Sequence, residues 1–193
     1  MKQSIPEKAE RLFQTISGSR FLKRELLGGD IHFFISTHAA EQQTEMRQAI
    51  AALIKRLDNT GIQVLEINLF KLALSVLDSE IGLPALFEFE EQESAAEFRE
   101  ALHSAMDMKQ VLLPAIERHV QSATPQVYFL TGIGEVYPFI RSHSILNNLH
   151  HLVERAPLVA FFPGTYSGEQ LKLFGLLADD NYYRAFNLDT FTE

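Results

Sequence analysis

The feature that most constrains this chain is an alternation. Short runs of bulky and β-branched residues are separated by longer stretches with helical spacing of apolar residues. Ile31 to Ser36 (IHFFIS) reads as a strand, followed by a helix carrying Met46, Ile50, Leu53, Ile54 and Leu57 on one face. Gly61 suits a helix C-terminus, and Ile62 to Leu69 (IQVLEINL) is a second strand. Helical stretches over Phe70 to Leu77 and about Ser94 to Gln121 precede a third strand, Gln126 to Thr131 (QVYFLT). A helix from about Pro138 to Glu154 leads to a fourth strand, Pro157 to Phe162 (PLVAFF). Beyond it the pattern predicts a short helix over Glu169 to Leu177, a turn at Asp179 to Asn181, and a last strand over Tyr182 to Leu188. Successive strands separated by helices pair in parallel, because parallel neighbours need a crossover. The expectation is an α/β fold, a three-layer sandwich with a mainly parallel sheet of about five strands.

A leading helix over about residues 5 to 24, stopped by Gly28-Gly29, completes one domain spanning residues 1 to 193. The chain has no cysteine, which excludes disulfides, thiol nucleophiles and thiolate zinc sites. A formal charge of -8 opposes tight, direct binding to a phosphate backbone. No apolar run is long enough for a signal or a membrane span, so a cytoplasmic location is expected.

Ligands of open parallel sheets gather at the carboxyl ends of the strands. Two glycine-containing loops follow strands there. The first carries Gly132, Gly134 and Tyr137, with Arg141 on the first turn of the next helix, and could aim backbone N–H groups at an anion. It lacks the GK[ST] ending of a phosphate-binding loop and the spacing of GxGxxG, so the core resembles a P-loop type without a Walker A motif. The second holds Gly164 and Tyr166, but its order Gly-Thr-Tyr-Ser-Gly is not a nucleophile elbow. Arg184 lies amid apolar residues of the last strand and needs a partner or a bound anchor. His143, Asn147 and His151 share a helical face without a further ligand set, and Glu88, Glu90, Glu91 and Glu93 form a solvated acidic connection. No catalytic, cofactor-binding or metal-ligating residue is assigned. Gly132, Gly134, Tyr137, Arg141, Gly164, Tyr166 and Arg184 are instead the candidate partner-binding set.

Two blocks, LTGIGEVYPFIRSHSILNNL (130–149) and PLVAFFPGTYSGEQLKLFGLLADDNYYRAFNL (157–188), resemble the BrxB family of BREX phage-defence systems. The resemblance implies a non-catalytic accessory subunit of a defence complex, without a cofactor. It also implies partners among the other BREX proteins, above all a PglZ-like phosphatase-fold protein or the large ATPase. The residues alone leave open a degenerate nucleotide-binding or nuclease-like α/β enzyme. What separates the two is whether the strand ends converge on a polar pocket or form a shallow aromatic edge.

Overall fold

The structure is a computed structural model that describes residues 4–25, 33–149, 155–168, 170–178 and 185–191. Its sheet is built on β1 (Phe33–His38), β2 (Val64–Asn68), β3 (Val127–Thr131), β4 (Leu158–Tyr166) and β7 (Phe186–Asn187). These pair in parallel in the order β2-β3-β4-β1-β7. The α/β expectation therefore holds, with a mainly parallel sheet between helices.

The period of two along each strand decides which helices each face receives. Phe34, Phe129, Val159 and Phe161 point to one face, where they pack with α1 (Ile5–Ser17) and α3 (Gln43–Asn59) through Leu12, Ile16, Met46, Ile50 and Leu57. Phe33, Ile35, Tyr128, Leu130, Leu158 and Phe162 point to the other. There they meet α4 (Leu69–Glu80), α5 (Leu83–Gln92), α6 (Ala95–Ala105), α7 (Leu113–Gln121) and α8 (Ser142–Leu149). Burying each large side chain contributes about 1.5–3 kcal/mol, and strands this apolar on both faces are stable only between two helical layers.

Several boundaries differ from the sequence pattern for identifiable reasons. The leading helix breaks at Gly18, whose extended backbone separates α1 from the short α2 (Ser19–Leu22). Gly28-Gly29 lies outside the described residues. The acidic connection at 88–93 belongs largely to α5, whose N-terminus is set by Pro84 in its first turn. The long helix over 94–121 is interrupted by a π-helical turn at Met108–Leu112, capped by Asp107. The helix predicted over 169–177 is a correction: β4 runs on to Tyr166 and pairs antiparallel with β5 (Leu171–Leu173), which turns into β6 (Leu177–Ala178). The hairpin wins because Phe174 and Gly175 both take positive φ, 56° and 74°, which a helix cannot hold. Of the predicted last strand, residues 182–184, and Arg184 with them, lie outside the described residues. Among the described residues no helix is long and apolar enough to cross a membrane.

Candidate functional site

β1 and β4 are neighbours, with His38 at the carboxyl end of β1 opposite Pro163 of β4. The chain leaves β1 toward β2 at one edge and leaves β4 toward β7 at the other. A crevice opens between the carboxyl ends of these two strands. Here it is a groove of about 420 Å³, bounded by Ile5 and Lys8 of α1, the 37–42 segment, Gly164 and Phe174.

The strand positions facing α1 and α3 switch from apolar to hydrogen-bonding residues at the carboxyl ends, Ser36 and His38, Glu66 and Asn68, and Thr131; of these His38 lines the groove, while Glu66, Asn68 and Thr131 line a smaller cavity on the other side of His38. Lys8 and Asp189 anchor one side, their charged atoms 2.8 Å apart. Lys8 sits on the buried stripe of α1 between Ile5 and Leu12, so its ammonium must find a partner inside. It also donates to the Thr37 carbonyl. Asp189 accepts from the Ser36 hydroxyl at 2.9 Å and from the Thr37 N–H and hydroxyl, both at 2.8 Å. Burial still pulls Lys8 below its ordinary value, and the attraction of Asp189 recovers only part of that shift.

His38 is buried, and its Nε2 meets the Gln43 side-chain oxygen. With that oxygen as acceptor Nε2 would carry the proton, leaving Nδ1 as the other ring nitrogen. That Nδ1 has no hydrogen-bond partner among the described residues. Burial lowers the imidazole below its ordinary value. On the far side, Thr131 donates to Glu66 at 2.6 Å and the Asn68 side chain caps α4 through the Lys71 N–H.

The glycine loop after β3 lies against the hairpin. Gly132 has φ 76° and packs on the start of α4. A methyl group on Gly134 would stand 2.7 Å from Pro163 and 3.0 Å from the Phe174 ring. Tyr137 meets Phe174 edge to face, with ring centroids 6.1 Å apart. Tyr137 (40%), Phe174 (36%), Leu177 (42%) and Leu176 (83%) are all exposed, and together they make an apolar shelf beside the groove.

Of the candidate partner-binding set, the structure thus brings Gly134 and Tyr137 together against the hairpin, sets Gly132 on the start of α4, and puts Gly164 in the groove wall. Arg141 is exposed just before α8. Tyr166 is buried, with its hydroxyl 2.9 Å from the carbonyls of both Gly168 and Ala185, so it supports the hairpin from beneath. Arg184 and His151 lie outside the described residues. Lys8, His38, Phe174 and Asp189 were not singled out by the sequence pattern. A lysine on the apolar stripe of α1 was the one available signal; Phe174 was hidden by the helix predicted there.

In the connection that follows β1, where a phosphate-binding loop of a P-loop core would sit, the residues are Ala39, Ala40, Glu41 and Gln42. They form a 3-10 turn with no glycine, and Glu41 places a carboxylate where phosphates would need N–H groups. Among the described residues no group of three or more His, Asp or Glu could hold a metal ion.

The family model described as BREX protein BrxB matches residues 65–188. A BREX protein BrxB from Bacillus cereus (strain H3081.97) is 35% identical over 188 residues, covering 95% of this chain and 97% of that one. A BREX protein BrxB from Escherichia coli O9:H4 (strain HS) is 27% identical over 173 residues, covering 90% and 86%. No solved structure matches the chain significantly.

Proposed function

This chain belongs to the BrxB family of BREX proteins, and from that premise we propose that it is a non-catalytic adaptor which binds a PglZ-like phosphatase-fold protein or the large ATPase. Membership makes it a component of a BREX system, with other BREX proteins as its partners. On this reading the whole chain acts as one cytoplasmic domain.

The observation that carries the adaptor role is the aromatic shelf. Tyr137 and Phe174 are held edge to face at the carboxyl edge of the sheet, with Leu176 and Leu177 exposed beside them. Aromatic side chains supply large contact area at small entropic cost, and interface cores are enriched in them. The glycine-free turn after β1 supports the same reading, since it offers no cradle for a nucleotide. Co-expression of the tagged chain with each of the two proteins tests it. Co-purification of one of them, lost on Leu176→Asp with the melting temperature unchanged, is the expected result. Failure of the chain to bind either protein would overturn the adaptor role.

A further inference from the structure

We infer that the groove between β1 and β4 receives a basic side chain, an arginine above all, from the partner protein; this rests on the adaptor reading above. Part of the groove wall is made of residues with little or no side chain, Ala39, Ala40, Gly164 and Gly175, which leaves space open to an inserted group. Phe174 belongs both to the groove wall and to the shelf, where it touches Tyr137. A partner seated on the shelf is therefore adjacent to the groove mouth.

The polar inventory of the groove selects the occupant. Lys8 is engaged by Asp189 and by the Thr37 carbonyl, which leaves little of its charge for a ligand. Glu41 is exposed in the 3-10 turn and has no ion pair among the described residues, so it offers a free carboxylate at the groove. His38, also in the lining, has a buried Nδ1 with no hydrogen-bond partner among the described residues. The free carboxylate of Glu41 asks for N–H donors. Guanidinium carries five such donors and no acceptor, its stem can lie along the alanine wall, and its plane can stack on the Phe174 ring. The net charge of -8 also favours the approach of a basic surface. An acidic or phosphate-bearing group would meet Glu41 without compensation.

The test titrates the purified PglZ-like protein and, in parallel, the large ATPase of the same locus onto three forms of this chain. Glu41→Lys should weaken the binding of the cognate protein by about tenfold or more, because it reverses the charge at the groove mouth. Ala40→Leu should do the same by filling the groove, and Glu41→Gln, which removes the charge but keeps the shape, should fall between wild type and Glu41→Lys. Glu41 is exposed, so its variants remain folded and keep the test valid even if Ala40→Leu lowers the melting temperature. If wild type binds and both Glu41 variants bind undiminished, the groove assignment fails while the adaptor role stands. Tighter binding by Glu41→Lys would show that the occupant is acidic, and would overturn the assignment as well. If wild type binds neither protein, both fail together.

Discussion

Lys8 on the first helix and Asp189 near the other end of the chain meet at 2.8 Å beside the carboxyl end of β1. The parallel pairing of β7 with β1, Ile35 opposite Asn187, carries Asp189 up to Ser36 and Thr37, where it accepts their three hydrogen bonds as well. One carboxylate thus ties together α1, β1 and the C-terminal turn. Replacing it leaves the Lys8 ammonium buried without a counter-charge, a loss that typically costs about 3–5 kcal/mol. Asp189→Ala should therefore lower the unfolding free energy measured by urea titration by an amount in that range. Ser36→Ala, which removes one neutral donor, should cost only about 1 kcal/mol.

The histidine at the end of β1 makes stability depend on pH. Burial pushes His38 below its ordinary 6.5, outweighing the hydrogen bond to Gln43. A base whose folded value lies below its unfolded one binds fewer protons in the folded chain, so acid favours unfolding. The folded state is not penalised above about pH 6.5 and loses stability as the pH falls below it, until the lower folded value is passed. Unfolding free energies measured from neutral pH down to about pH 5 should fall more steeply for wild type than for His38→Gln. Parallel curves would show that His38 is not buried as described.

Gly164 lets the sheet continue into the hairpin that carries the shelf. A Cβ built there would lie 2.0 Å from the Lys172 carbonyl oxygen, a backbone atom that cannot move away without breaking the β4–β5 pairing. Gly164→Ala should destabilise the protein by about 1–3 kcal/mol and weaken partner binding through the displaced Phe174. Gly134→Ala meets the Pro163 and Phe174 side chains instead, so it should disturb the shelf at a smaller cost in stability. Thermal melts and the binding titration, run on both variants, separate the two effects.

How far the fold could be read in advance depended on where local pattern and tertiary demand agreed. The strands around Phe34, Ile67, Phe129 and Val159 are apolar on faces that the sheet buries, so periodicity found them. The 169–177 stretch failed because Leu171, Leu173 and Leu177 match a short helix about as well as a hairpin. The choice was made by the extension of β4 past Pro163 and by a residue other than glycine, Phe174, at positive φ. Gly132, Gly134 and Tyr137 were legible as a loop at a strand end. Their contact with Phe174, like the pairing of Lys8 with Asp189, joins residues far apart in the chain and has no local trace. What α1 did show was a lysine where an apolar residue belonged.

The turn after β1 makes a direct forecast about nucleotides. Ala39 to Gln42 offers neither the glycines nor the lysine that hold phosphates, and Glu41 would repel them. Calorimetry with ATP and magnesium should show no binding at micromolar concentrations. Duplex DNA should likewise bind weakly and without sequence preference, given the charge of -8, and a gel shift at moderate salt checks this. Micromolar ATP binding would instead favour the degenerate nucleotide-binding enzyme.

Arg141 separates the surface role from a structural one. It is exposed between the glycine loop and α8, a few residues beyond Tyr137. Arginine and tyrosine serve as interface anchors because they combine contact area with directed hydrogen bonds, and truncating a central one typically costs about 2 kcal/mol or more. A loss of that size weakens binding roughly 30-fold. An exposed side chain contributes little to folding, so the same substitution should leave stability within about 0.5 kcal/mol. Arg141→Ala should therefore reduce co-purification of the partner while the melting temperature stays within a few degrees of wild type. Tyr137→Ala should weaken binding too, but it also removes the edge-to-face support of Phe174, so its melting temperature should fall further than that of Arg141→Ala. An Arg141→Ala variant that melts much earlier, or that holds its partner as well as wild type does, would put this arginine in the scaffold and leave the shelf to bind through Phe174, Leu176 and Leu177.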